Sequence, residues 1–193
     1  SWMIVNNQFG ITLTHSSQQT YQTYHPIFEA SPSDRMVLQI VKVNPTATKL
    51  ATPVQKDAIA IIRVPKLDTS TANVSTLNFV GRDDDILLHI SFGPTGVRER
   101  NSVQQKDQEW PGQKDEWITF AGRFTRRDPR IEVEDLGNGY QIKIDGATVH
   151  LYNKRFPTPV TGLFYLVEPD NIPLFGDTLA VEVHPNSNSL GFF

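Results

Sequence analysis

Tyr140-Gln141-Ile142-Lys143-Ile144-Asp145-Gly146-Ala147-Thr148-Val149-His150-Leu151-Tyr152 is the stretch that decides the fold. Apolar Tyr140, Ile142 and Ile144 alternate with polar Gln141 and Lys143. A period of two sends successive side chains to opposite faces, so this reads as a half-buried antiparallel strand. Asp145-Gly146 is a strong signal for a two-residue hairpin loop, because a type I′ turn needs positive φ at both central positions. Val149 to Tyr152 is then the returning strand. Leu136-Gly137-Asn138-Gly139 supplies turn residues before the pair.

The same alternation recurs at Leu179, Val181 and Val183. Further strands are expected at 36–43, 58–64, 73–79, 86–92, 118–124, 131–134 and 162–167. Their number and spacing predict an all-β fold, a two-sheet antiparallel β-sandwich. No stretch holds a helical period over several turns, and Pro26, Pro32, Pro45, Pro53 and Pro65 interrupt the one region with room for a helix. Asn186 to Ser189 reads as a mobile terminus.

The 193 residues suit one well-buried core better than two ordinary domains. With 18 basic and 21 acidic side chains and no long run of either sign, the chain is not built to coat a phosphate backbone, so no nucleic acid partner is expected. The absence of cysteine excludes disulfides, thiolate metal sites and cysteine nucleophiles. Ser1 to Gly10 lacks the basic start and apolar run of a secretory signal, and no segment is long and apolar enough to span a bilayer. The expectation is a cytoplasmic protein, or one that reaches the outside by a route without a signal peptide, with no membrane insertion.

The apolar segment Asp85 to Phe92 is interrupted by His89 and Ser91, which offer a ring nitrogen and a hydroxyl. Asn101 sits on the next segment, with Trp110 and Trp117 close behind. Polar groups converging beside an exposed indole suit a sugar, whose hydroxyls take hydrogen bonds while its C–H face lies on the ring. Trp110 lies between Gln108-Glu109 and Pro111-Gly112, loop-like surroundings that favour an exposed ring over one capping the core. Trp117 opens an apolar run and fits core or site equally. Asp83-Asp84-Asp85 reads as a solvated turn, since three adjacent aspartates on an extended backbone cannot all reach one cation. No metal site and no cofactor are expected.

These residues resemble the galectin family, in its fungal branch. Ile86-Leu87-Leu88-His89-Ile90-Ser91 looks like the strand that opens the galectin sugar site, Asn101-Ser102 like the neighbouring strand, and Trp110 like the stacking tryptophan. The resemblance continues through Tyr140 to Lys143, Tyr152 to Arg155 and Val181 to His184, and Val5-Asn6-Asn7-Gln8 looks like the first strand of fungal members. It implies a galectin-like jelly roll, one carbohydrate-recognition domain over 1–193 with an inserted segment at about 16–54, and glycans or glycoconjugates as partners. Self-association is a further expectation, with the insertion, its Tyr21 and Tyr24 included, as an extra edge strand, a lid or an oligomer contact.

Departures from the family pattern give the resemblance a direction. The family places His, Asn and Arg at alternate positions of the first site strand; here these are His89, Ser91 and Gly93, so a forked donor is missing. The Glu and Arg that follow the stacking tryptophan align with Asp115 and Trp117. An indole at that second position resembles the chitooligosaccharide-binding relatives, and two indoles can stack on two successive sugar rings. The implied ligand is a β-linked oligosaccharide containing GlcNAc rather than plain lactose, held by His89, Ser91, Asn101, Trp110, Asp115 and Trp117. Arg98, Glu99 and Arg100 are secondary candidates: the two arginines fall where the family's strand faces the core, so either the register shifts and one or both point into the site, or the strand leaves the sheet.

Two other readings stay open at the level of sequence. One is a galectin-fold protein-interaction module that has lost sugar binding, motivated by Gly93, Glu99 and the charged Val97-to-Asn101 strand. The other is a glycoside hydrolase using paired carboxylates. Glu99, Asp115 and Glu116 are its only candidates, and no catalytic signature surrounds them, so no enzymatic activity is expected.

Overall fold

The computed structural model describes residues 3–7, 10–14, 37–44, 46–70, 74–94, 96–103, 124–168 and 171–185, with 3–7, 10–14 and 96–103 described as backbone only. Trp110, Asp115, Glu116, Trp117, the strand expected over 118–124 except Phe124, Tyr21, Tyr24 and the tail from Asn186 lie outside them. The chain divides into two compact units, Ser1–Arg35 and Met36–Phe193. In the first, β1 (Met3–Asn7) pairs antiparallel with β2 (Gly10–Thr14).

The second unit carries β3 (Gln39–Lys42), β4 (Thr48–Val54), β5 (Ile59–Arg63), β6 (Ser75–Val80), β7 (Ile86–Gly93), β8 (Gly96–Val103), β9 (Arg130–Asp135), β10 (Gly139–Ile144), β11 (Ala147–Asn153), β12 (Val160–Val167) and β13 (Thr178–His184). They form a six-stranded sheet, β11-β10-β9-β5-β13-β3, and a five-stranded sheet, β4-β12-β6-β7-β8, with every neighbouring pair antiparallel. Among the described residues there is no helix. The all-β two-sheet sandwich expected from alternation is the observed architecture.

One apolar cluster joins the sheets. Ile62, Val133, Tyr140, Ile142 and Val181 come from the six-stranded side, and Leu77, Phe79, Leu88, Ile90, Phe92, Leu163 and Tyr165 from the five-stranded side. Removal of this apolar surface from water is the main stabilising term in a chain without disulfides. Phe175 closes one end, 5.2 Å from Phe92 and 5.8 Å from Phe124 between ring centroids, in edge-on contacts favoured by the ring quadrupoles.

The hairpin that decided the fold is built as expected. Ile144 pairs with Ala147, and Asp145 and Gly146 take φ of 50° and 83°, the signs a type I′ turn requires. At the other end of β10, Gly139 has no room for a side chain: a Cβ there would lie 2.9 Å from the Tyr152 carbonyl oxygen. Beside it Asp135, fully buried, accepts hydrogen bonds from Lys154 Nζ at 2.5 Å and from the Gly137 amide at 2.7 Å. That lysine also stands 4.8 Å from the centre of the Tyr140 ring. Burial, and then the charge of Asp135, push the Tyr140 phenol well above its ordinary pKa.

β4 was not expected from sequence. Pro53 weighs against a strand, but β4 ends the five-stranded sheet among the described residues, and an edge strand tolerates a missing N–H donor. Within the 16–54 segment, β3 and β4 thus occupy one end of each sheet.

Candidate functional site

On β6 and β7 the pleat separates two sets of residues. Leu77, Phe79, Leu88, Ile90 and Phe92 face the core and are buried, so Thr76, Asn78, His89 and Ser91 fall on the outer face. Directly opposite residues on antiparallel strands share a face, which makes the strand register a map of that surface. One row runs Phe164 (β12), Asn78 (β6), His89 (β7), Asn101 (β8). The next runs Leu166, Thr76, Ser91, Glu99 in the same strand order. His89, Ser91, Asn101 and Glu99, named from sequence, therefore occupy adjoining register positions. Trp110, Asp115 and Trp117 lie outside the described residues.

Between these rows the register is Tyr165, Leu77, Ile90, Arg100, which sets Arg100 opposite a fully buried isoleucine. A register shift between Ser91 and Phe92 pairs Glu99 with Ser91 and Val97 with Phe92, leaving Arg98 as the extra residue of a bulge. β8 stays in the sheet, so the strand does not leave it; a register shift falls beside Arg98, while Arg100 keeps the row of core-facing Ile90. Gly93 is opposite Gly96 at the end of the pair.

The chemistry of the face is neutral where it is most enclosed. Asn78 and Ser91 keep only 5% and 6% of their accessible surface. His89 is half-buried, and its Nδ1 lies 2.6 Å from Asn78 Oδ1. Burial disfavours the imidazolium and lowers the pKa of His89 to about 4, so the ring is uncharged at neutral pH. A neutral imidazole carries one donor and one acceptor nitrogen, which suits hydroxyl groups better than ions. Asn78 escaped the sequence reading, although the alternation Thr76-Leu77-Asn78-Phe79 was the available signal: inward Leu77 and Phe79 force Asn78 outward beside His89.

The three aspartates at 83–85 lie in the turn between β6 and β7. The Gly81 amide bonds to the Asp85 carbonyl at 2.9 Å and Asp84 takes a φ of 59°, while Asp83 and Asp84 are exposed. Among the described residues no group of three or more His, Cys, Asp or Glu converges in a way that would hold a metal ion.

No family model matches the chain. Galectin-1 of Coprinopsis cinerea is 30% identical over 136 residues, covering 70% of this chain and 87% of its own length. Galectin-2 of the same fungus is 32% identical over 137 residues, with the same shares of each chain. Among solved structures, that of sheep galectin-11 in complex with glycerol superposes with a TM-score of 0.50 at 14% identity, covering 77% of this chain and 96% of its own, a likeness of fold.

Proposed function

Since the chain belongs to the galectin family, we propose that it is a carbohydrate-binding lectin and not an enzyme, with its site on the outer face of the five-stranded sheet. The observation that carries this reading is the row in which half-buried, uncharged His89 stands between buried Asn78 and the register position of Asn101. It offers fixed neutral hydrogen-bonding groups, without a charge that would demand an ionic ligand. His89, Ser91 and Asn101 bind hydroxyls, Trp110 stacks on a sugar ring, and Asp115 and Trp117 complete the site.

The ligand is a β-linked oligosaccharide containing GlcNAc. Two sequence features support this choice: Gly93 lacks the forked donor that fixes galactose, and Trp117 supplies a second indole for a second ring. A glycan array and calorimetry with chitotriose and lactose test it. The expected result is binding of chitotriose in preference to lactose, lost on Trp110→Ala while the melting temperature stays within a few degrees of wild type. Absence of binding to any glycan, with no shift of melting temperature in excess chitotriose, removes the lectin reading.

A second reading, a galectin-fold interaction module without sugar binding, is favoured by one observation: the bulge at Arg98 and the placement of Arg100 opposite Ile90 both alter the strand beside His89. Self-association would suit either reading. β3 ends the six-stranded sheet among the described residues, and Leu38 and Ile40 are 58% and 56% exposed there. Light scattering on the purified protein would show a mass above that of one chain.

A further inference from the structure

We propose that Asn138 is a site of spontaneous deamidation, and that its isoaspartyl product loosens the β9–β10 turn beside the buried Asp135–Lys154 ion pair. Water is the only second reactant, so the reaction stands whether or not this chain binds a sugar.

The sequence contains one Asn-Gly pair, Asn138-Gly139. Asn138 is exposed in the loop between β9 and β10, where Gly137 takes a φ of 88° and the Leu136 amide bonds to the Gly139 carbonyl at 2.8 Å. A positive φ at the first of the two central positions only marks a type II′ turn. That closing bond engages the carbonyl of Gly139 and not its amide. A glycine has no Cβ to shield its nitrogen from the side chain before it. The Gly139 nitrogen attacks Cγ of Asn138, a new N–Cγ bond forms, and the side-chain amide leaves as ammonia with the proton from that nitrogen. Water then opens the resulting succinimide. Breaking the new N–Cγ bond gives aspartate; breaking the original peptide bond gives isoaspartate, with the main chain now running through Cγ.

Comparable positions are held. Asn44 precedes a proline, which has no N–H to attack with. Asn78 is buried. Asn153 is exposed, but the amide after it, that of Lys154, donates to the Asn138 carbonyl at 3.0 Å. In the Asp145-Gly146 turn both carboxylate oxygens accept hydrogen bonds, Oδ1 from the Arg130 amide at 2.9 Å and Oδ2 from the Thr125 hydroxyl at 2.7 Å.

The fold also keeps the vulnerable glycine in place, because a Cβ at 139 would lie 2.9 Å from the Tyr152 carbonyl oxygen. Aspartate at 138 leaves the backbone as it was. Isoaspartate adds a methylene to the main chain of a loop held by the Leu136–Gly139 and Lys154–Asn138 bonds. The longer chain strains both, and the Gly137 amide that donates to Asp135 at 2.7 Å is the adjoining contact.

The test holds purified wild-type protein at mildly alkaline pH and follows it by peptide mapping, with an isoaspartyl methyltransferase marking the rearranged product. Conversion at Asn138 ahead of every other asparagine, mostly to isoaspartate, is expected; no conversion there, or earlier conversion elsewhere, overturns the proposal. Asn138→Gln should abolish the methyl acceptor, since a side chain one methylene longer closes the ring far more slowly, and a variant that accepts methyl groups as wild type does overturns it too. Asn138→Asp, with an ordinary backbone, should melt as wild type does, whereas the isoaspartyl form separated by ion exchange should melt several degrees lower. An isoaspartyl form that melts with Asn138→Asp overturns the loosening of the turn.

Discussion

On the outer face of the six-stranded sheet, polar residues answer one another. Arg63 Nε bonds to Glu182 Oε1 at 3.0 Å, and His184 Nε2 lies 3.0 Å from the other oxygen of the same carboxylate. Lys143 bonds to Glu134 at 2.8 Å, and Arg130 stands 3.1 Å from Glu132. Hydrogen bonds from Arg63 and then His184 hold Glu182 below the usual carboxylate range. The outer face of the five-stranded sheet has the same alternation, yet its enclosed polar groups are Asn78, Ser91 and a histidine kept neutral by burial. One face is dressed in charged pairs; the enclosed groups of the other are uncharged. The lesson is that alternate polar residues mark a solvent face without saying whether it carries ion pairs or neutral groups, and the cross-strand neighbour decides which.

The sharpest way to break this comparison is to ask where ion pairing is structural. Lys154 and Asp135 keep 7% and 0% of their side-chain surface. Lys154→Met should therefore leave a buried carboxylate unpaired and lower unfolding free energy by ~3–5 kcal/mol, read from urea melts at neutral pH. A loss below about 1 kcal/mol would mean the pair resembles the exposed ones.

Acid should separate the two faces next. His89 has a folded pKa of about 4 against an ordinary 6.5, so between these values the unfolded chain binds a proton that the folded one refuses. Stability is therefore expected to fall as pH drops from 6.5 to 4, by up to ~3 kcal/mol, with no further loss from this group below that window. Glu182, lowered from 4.5, acts in a different window: its contribution is present above 4.5 and disappears as pH falls through its folded value. His89→Gln should flatten the upper window and leave the lower one, as denaturant melts at a series of pH values would show.

Substitutions on the two faces should then differ in kind. His89→Ala is expected to weaken chitotriose binding by about tenfold, the worth of one neutral hydrogen bond, in a titration on protein that remains folded. Arg63→Met, on the closed face, should leave that titration unchanged. Its cost in stability should stay below about 1 kcal/mol, because the Arg63 side chain is 51% exposed and its ion pair is screened by water.

Much of the sandwich was legible because period-two alternation follows from strand geometry alone. β5, β6, β7, β9, β10, β12 and β13 all fall on stretches where apolar residues mark the core face, and Asp145-Gly146 specified its turn by backbone sterics. β4 was not legible, because Pro53 is unfavourable in a central strand and harmless at an edge, and edge or centre is a property of the sheet. The candidate site was legible in the same uneven way. His89 and Ser91 stood out as polar breaks in an apolar run, whereas Asn78 looked like any outward strand residue until β6 was paired with β7.

By itself the sequence determined the kind of layer this chain builds and the placing of His89, Ser91 and Gly93 on one strand, since both depend on neighbours within a few residues. Only the tertiary structure decided that Asn78 faces His89, that a bulge absorbs Arg98, and that Lys154 neutralises Asp135. Those outcomes join residues 11, 5 to 8, and 19 positions apart, with register set by strand pairing. A one-residue slip would turn every side chain of a strand to the opposite face, and no local preference in the chain fixes that choice.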